Sequence, residues 1–246
     1  MPAVKPKLDD MSQQVVILAA GMGTRLSRPL PKPLTELNDG RSIMKQQIDN
    51  LKHGFGDAYR LIIVVGFKLE AIIERFPEAT FVYNELYDQT NTSKSLLKAL
   101  RASNDGGVLW MNGDVVFDPQ VFDRITAKID ADQSFVVVNT SKVSDEEVKY
   151  TLDDSGYIDQ LSKVVENGLG EAVGINFIAA KDKARLIARL DEVGDQDYFE
   201  RGIEVAIHND GLKFEAVNIS DLYAIEIDFA EDLDRVNDLF KGKNVQ

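Results

Sequence analysis

The sequence contains no cysteine, which excludes a disulfide framework, a thiolate nucleophile and any metal site with cysteine ligands. That absence fits a cytoplasmic protein, the location we expect. The chain also lacks an excess of positive charge. Its 28 Lys and Arg against 41 Asp and Glu leave a formal net charge of -13, so nucleic acid and anionic membranes would be repelled as general partners. No apolar stretch approaches the roughly 18 residues that a membrane span needs, and no membrane insertion is expected. A signal peptide fails as well: Asp9 and Asp10 stand where a basic region should be, and the apolar run Val15 to Ala20 is too short. Histidine is scarce. His53 and His208 lie far apart and near no motif, so neither is expected to act in catalysis. Repeats and low-complexity segments are lacking too.

What remains is an ordinary globular composition, 44% hydrophobic and 28% charged over 246 residues, enough for one domain with a substantial core. Residues 1–13, with two prolines and no periodicity, read as a flexible tail. The informative stretch follows. Val15 to Ala20 is a buried strand by its length and β-branched content. It breaks into Gly21-Met22-Gly23-Thr24-Arg25, where glycine lets the backbone turn sharply and approach a ligand closely. A strand ending in such a loop leaves backbone N–H groups free to hold an anion. Arg25, Arg28 and Lys32 place three cations there in an otherwise acidic chain, which points to phosphate.

The dinucleotide fingerprint G-x-G-x-x-G fails, because Leu26 stands at the third glycine, and the P-loop pattern fails too. What is present is L-A-A-G-x-G-T-R (Leu18 to Arg25) followed by P-K-P (Pro31 to Pro33). This resembles the signature of the nucleotidyltransferases that join a nucleoside triphosphate to a phosphorylated small molecule and release pyrophosphate. The resemblance runs from Val15 to about Leu239. It implies that Ala19, Ala20, Gly21, Gly23, Thr24 and Arg25 contact the nucleotide, and that Arg25 and Lys32 are the catalytic cations. Arg25 would meet the β- and γ-phosphates. Lys32 would bridge the acceptor phosphate and the α-phosphate.

The periodicity agrees with an α/β fold. Strands are predicted at 61–66, 80–84, 107–112, 133–139, 171–178 and 212–219, a hairpin at 149–161, and helices at 42–55, 69–76, 92–102, 181–193 and 198–208. Alternating strands and helices imply one Rossmann-like domain: a central, mostly parallel twisted sheet with helices on both faces, plus a small β extension for the acceptor. We place this nucleotidyltransferase domain at 14–246, with a nucleotide-binding half at about 14–140 and an acceptor-binding half at about 141–246. Ligands in such sheets sit beyond the carboxyl ends of the strands, which gathers the signature loop, Gly66, Asn84 and Asp114 at one edge. Gly66 would line the base pocket.

Asp114, directly after the strand LWM, is a candidate metal ligand, since attack on an α-phosphorus builds charge that a hard divalent cation neutralises. The alternative is a turn cap before Asp118-Pro119. Asn84-x-x-Tyr87, Thr90-Asn91 and Ser95-Leu96 resemble the cytidylyltransferase branch that acts on phosphocholine and related phosphorylated alcohols or phosphonates. That resemblance makes Asn84, Thr90, Asn91 and Ser95 nucleotide contacts, although helix capping alone could explain the short polar residues. Lys163 looks like the lysine that holds the acceptor phosphate in sugar-phosphate relatives, or is simply solvated. Glu171 and Gly174 join it as expected acceptor contacts, Gly174 by allowing close approach to the backbone. Near the end, Asp228 could cap the last helix, with Glu231 completing a capping box. The resemblance instead puts the second metal acid on the segment Glu226-Ile227-Asp228, without distinguishing Glu226 from Asp228.

The expected activity is Mg²⁺-dependent transfer of CMP from CTP to a phosphorylated small alcohol such as phosphocholine, or to a phosphonate. A sugar-1-phosphate enzyme using UTP or dTTP and a non-catalytic nucleotide-binding relative are the alternatives. The partners are small-molecule substrates. A homodimer is one option for the chain's assembly. A phosphocholine acceptor would need aromatic faces and carboxylates, for which Tyr87, Tyr150, Tyr198, Phe199 and Glu200 are suitable by type alone.

Overall fold

A computed structural model of the chain describes residues 12–23, 26, 29–141 and 147–243. Thr24, Arg25 and Arg28, expected at the phosphate loop, lie outside the described residues. The first strand, β1 (Gln13–Ala19), is buried almost throughout. Its side chains divide by parity as a pleated strand requires. Val16, Leu18 and Ala20 pack into one hydrophobic cluster and Val15, Ile17 and Ala19 into another, on the opposite face of the sheet.

The chain continues through α1 (Ile43–Phe55), β2 (Tyr59–Val65), α2 (Leu69–Arg75), β3 (Thr80–Tyr83), α3 (Thr92–Ala102), β4 (Val108–Asn112), β5 (Val115–Phe117), α4 (Val121–Asp130) and β6 (Phe135–Asn139). The second part comprises β7 (Lys149–Leu152), β8 (Ile158–Ser162), β9 (Gly170–Ile178), α5 (Ala180–Glu192), α6 (Phe199–Asp210), β10 (Glu215–Asn218), β11 (Ala224–Glu226) and α7 (Ala230–Lys243). The main sheet runs β10-β6-β9-β4-β1-β2-β3, with β7 and β8 attached beside β9. β1 pairs in parallel with β2 and β4, and β9 is antiparallel to β4 and β6. The result is the expected single α/β domain with a mostly parallel sheet. Buried residues of α3, α5 and α6 cover one face, and those of α1, α2 and α4 the other.

Two elements depart from the sequence reading. Helix α4 buries Val121, Phe122, Ile125 and Ile129, a helical spacing that the Asp118-Pro119 turn masked. Strand β5 is only three residues long and pairs antiparallel with β11, Glu226 opposite Val115. That pairing joins distant parts of the chain, and a third cluster of Leu37, Ile43, Val116, Ile227, Leu233, Val236 and Phe240 holds α7 beneath it.

Candidate active site

Strand β1 has β2 on one side and β4 on the other, so the loops leaving β1 and β4 part and open a crevice at the strand ends. Gly23 turns there with φ +59, and a Cβ on it would meet Lys32 Cβ at 3.0 Å. Glycine is therefore favoured by both conformation and space. The Pro-Lys-Pro segment forms a short 3-10 turn, Lys32–Leu34, whose Pro33 and Leu34 are buried. Anchored on both sides, Lys32 points into the crevice.

The loop after β4 carries Asp114. Gly113 N–H donates to Leu18 O at 2.9 Å, and a Cβ on Gly113 would stand 2.7 Å from that oxygen. Three buried amides on α1 fix the far side of this loop. Gln47 Nε2 donates to Asn112 O and Val115 O, both at 2.8 Å, while Gln46 and Asn50 donate to Phe117 O. Ile227 N–H donates to Asp114 O at 3.0 Å, which ties the Glu226-Ile227-Asp228 segment to the same loop. Asp232 Oδ2 accepts from the N–H groups of Asp228 and Phe229; the cap at this turn is thus Asp232, one residue beyond the Glu231 that the capping-box pattern indicates.

Together these contacts place Asp114, Glu226 and Asp228 so that an oxygen from each lies within 4.8 Å of the others. Lys32 Nζ donates to Asp114 Oδ2 at 2.8 Å and to Asp228 Oδ1, with only 10% of its side chain exposed. Burial alone would lower the Lys32 pKa, but Asp114 and Asp228 outweigh it and the pKa is raised. Glu226 moves the other way in charge: the Asp114 carboxylate first, then burial and Asp228, push its pKa well above the usual carboxylate range. Asp114 Oδ1 is buried with no hydrogen-bond partner among the described residues. A crowded set of hard oxygen donors with an unsatisfied member fits a divalent cation of the Mg²⁺ type.

Two adjoining cavities meet at this cluster. One of about 270 Å³ is bordered by Ala19, Gly21, Gly23, Lys32, Asp114 and Thr92, among others. The second, of about 570 Å³, is bordered by Glu147, Glu171 and Gly174, and shares Lys163, Tyr198, Glu200, Glu226 and Asp228 with the first. The structure therefore brings Ala19, Gly21, Gly23, Lys32, Asp114, Lys163, Glu171, Gly174, Glu226 and Asp228 to one cleft. Gly174, with φ +73, also makes room for Asn112, whose Nδ2 would stand 2.7 Å from a Cβ there.

Other expected contacts do not border either cavity. Ala20 is buried in the core. Gly66 is a glycine for packing: a Cβ would stand 2.6 Å from both Ala20 O and Tyr87 Cβ. Asn84 is 1% exposed. Its Nδ2 donates to Thr90 Oγ1 and Ser95 Oγ, and its Oδ1 accepts from Leu86 N–H. Asn91 caps α3 through Thr92 N–H and donates its own N–H to Asp195 O at 2.8 Å. Asn84, Thr90, Asn91 and Ser95 thus build and brace loops. Ser93 N–H donates to Asp197 O, and Phe199 N–H to Thr92 Oγ1 at 3.1 Å, which orients the segment carrying Tyr198 and Glu200.

Sequence reasoning missed Glu147, Thr92, Asn112, Asp232 and Arg235 as cleft residues and named Tyr198, Phe199 and Glu200 by type only. Of the other aromatics named, Tyr150 is core and Tyr87 packs over Gly66. No helix among the described residues is long and apolar enough to cross a membrane.

The MobA-like NTP transferase domain family matches residues 15–199. CMP-5'-(3-aminopropyl)phosphonate synthase of Streptomyces rubellomurinus is 35% identical over 132 residues, covering 50% of this chain and 20% of that protein. UTP–glucose-1-phosphate uridylyltransferase AglF of Haloferax volcanii is 28% identical over 247 residues, covering 95% of this chain and 98% of that protein. The chain therefore spans a fifth of the first relative and nearly all of the second. Two solved structures share the fold. CTP:phosphocholine cytidylyltransferase (LicC) from Streptococcus pneumoniae has a TM-score of 0.74 at 21% identity, covering 93% of this chain and 99% of that one. Inositol-1-phosphate CTP transferase from T. maritima has a TM-score of 0.75 at 18% identity, covering 94% and 96%.

Proposed function

This chain belongs to the MobA-like NTP transferase family, and from that premise we propose that it is a Mg²⁺-dependent cytidylyltransferase. It transfers CMP from CTP to a phosphorylated small alcohol or a phosphonate. The observation that carries this reading is the junction of the two cavities, where Lys32 stands against Asp114 and Asp228 beside Glu226. An oxygen of the acceptor phosphate attacks the α-phosphorus, and the bond from that phosphorus to the oxygen of the departing pyrophosphate breaks. The nucleophile is already ionised, so no protein base and no covalent intermediate is needed. Rate comes from positioning and charge neutralisation.

The chain's own residues divide that work. Loop amides at Gly21 and Gly23 hold the nucleotide, and Lys32 draws the α-phosphate and the acceptor phosphate together. Asp114, with Glu226 and Asp228, would hold Mg²⁺, which when bound neutralises charge on the triphosphate. Arg25 would stabilise the pyrophosphate, and Lys163 would hold the acceptor phosphate. The choice of CTP is supported by the relative whose name is a CMP-phosphonate synthase. A second reading, UTP with a sugar 1-phosphate, is favoured by the near full-length likeness to AglF. A non-catalytic regulatory relative is disfavoured, because Lys32 and all three acids are retained at one cleft.

Pyrophosphate release with Mg²⁺ tests the reading, using each common nucleoside triphosphate crossed with phosphocholine, phosphoethanolamine, 2-aminoethylphosphonate, glycerol phosphate and several sugar 1-phosphates. Release confined to CTP with a non-sugar acceptor is the expected result. Release confined to UTP or dTTP with a sugar phosphate would replace it with the second reading.

A further inference from the structure

The larger cavity carries more acid than nucleotidyl transfer requires. Glu147, Glu171, Glu200 and Asp232 border it beyond the metal acids, against Lys163 and Arg235. Glu200 is the telling member. It sits in the first turn of α6 and is 6% exposed, yet it borders both cavities. Its Oε2 is buried with no hydrogen-bond partner among the described residues. A carboxylate oxygen buried without a donor is costly, and the favourable field of a helix N-terminus offsets only a small part of that cost. Burial, opposed by a hydrogen bond from its own backbone N–H and by Lys163 and reinforced by Glu147, lifts its pKa to about 7.

A second feature points the same way. Lys163 Nζ lies 5.0 Å from the centroid of the Tyr198 ring, so the cavity already accommodates an ammonium against an aromatic face. The rings at its border, Tyr198 and Phe229, are each more than 40% exposed. Among the described residues these two rings are the aromatic part of its border, too few to close around methyl groups on several sides. The deep wall is carboxylate, and a buried Glu200 oxygen without a partner calls for a group that donates.

We propose that the acceptor bears an ammonium with N–H bonds, a primary or secondary amine, which donates to the Glu200 carboxylate while Lys163 and Lys32 hold its phosphate or phosphonate. This rests on nucleotidyl transfer at the cleft. A quaternary ammonium has no N–H to give, and a neutral polyol brings no charge to balance the acids.

The test is kcat/KM with CTP and Mg²⁺ for phosphoethanolamine and 2-aminoethylphosphonate against their N-trimethyl counterparts and against glycerol 3-phosphate. The amines should exceed both comparators by about tenfold or more, the worth of a hydrogen bond to a charged group. Glu200→Gln, nearly isosteric, should raise the acceptor KM by about tenfold to a hundredfold with the KM for CTP unchanged, and should level the amine and trimethyl acceptors. A purely structural role would instead lower the thermal midpoint and move both KM values. Equal or better use of the trimethyl acceptor, or an unchanged ratio in Glu200→Gln, overturns the proposal. So does activity with CTP that prefers glycerol phosphate, which leaves the cytidylyltransferase reading standing. Amine-selective release with UTP does the opposite, supporting the amine and removing CTP. If no pair releases pyrophosphate, calorimetric binding of phosphoethanolamine and phosphocholine to the Mg²⁺-loaded protein decides: tighter phosphoethanolamine supports the proposal, and equal or weaker binding overturns it.

Discussion

The two ends of the cleft satisfy their charges differently. At the metal end, one buried ammonium meets two carboxylates, and three amides of α1 clamp the backbone of the loop that carries Asp114. At the acceptor end, carboxylates outnumber cations, and burial lifts Glu147 and Glu200 above the ordinary range. Under the proposed transfer, one end is preorganised for charge that develops during reaction and the other receives a charge that the ligand brings.

Asp114→Asn should break the metal end most completely. Losing a carboxylate from the oxygen cluster should cut Mg²⁺-dependent turnover by about a thousandfold, measured as pyrophosphate release across a Mg²⁺ titration. Wild-type activity at low Mg²⁺ would return Asp114 to the role of turn cap. Lys32→Ala comes next, with turnover down by about a hundredfold to a thousandfold and the fold intact. It should also act oppositely on the metal. With the ammonium gone from Asp114 and Asp228, Mn²⁺ binding without nucleotide should tighten, as read by electron paramagnetic resonance. Weaker binding would mean that Lys32 supports the metal cluster and does not compete for it.

The contrast between the two ends also governs what the sequence reveals. The strand Val15 to Ala20, its glycine turn and Pro-Lys-Pro are contiguous, so local rules suffice to read them as a strand and a phosphate loop. Asp114 follows its strand after a single glycine. Asp228 needed the resemblance, because a residue before a helix reads equally well as a cap, and its approach to Lys32 depends on the β5–β11 pairing between distant segments. Tyr198 and Glu200 lie in no motif. Their place is set by hydrogen bonds from the Asn91 and Ser93 N–H groups to Asp195 O and Asp197 O and from Phe199 N–H to Thr92 Oγ1, contacts that no spacing in the sequence announces. Asn84, Thr90 and Ser95 read two ways for the converse reason: short polar side chains that suit a ligand suit one another equally well, and here they bond to one another.

The acceptor end should show itself in stability against pH. An unfolded glutamate releases its proton near 4.5, and folded Glu200 near 7. Between those values the folded protein holds the extra proton, so stability falls as pH rises through the window and levels off above it. The loss should be about 3 kcal/mol, measured by urea unfolding at several pH values. Glu226, lifted mainly by Asp114, acts in the same direction. Glu200→Gln should remove its own share of the slope and leave the share of Glu226, and saturating phosphoethanolamine should do the same in the wild type by holding Glu200 ionised. A slope unchanged by Glu200→Gln would mean that Glu200 is ionised throughout the window.

Gln47→Leu makes the smallest change and tests whether the metal end owes its geometry to the α1 clamp. Gln47 is fully buried, and its Nε2 serves the carbonyls of Asn112 and Val115, which flank Asp114. Leucine preserves the apolar face of α1 but leaves both carbonyls without that donor, while it also removes the unpartnered Gln47 Oε1. These effects oppose, so unfolding stability should fall by only about 1–2 kcal/mol. If the clamp holds the loop in register, the Mg²⁺ concentration for half-maximal turnover should rise while the acceptor KM stays fixed, because Glu200 and Tyr198 hang from a different part of the chain. A rise in both constants would show that the two ends move as one body and that their contrast is one of charge alone.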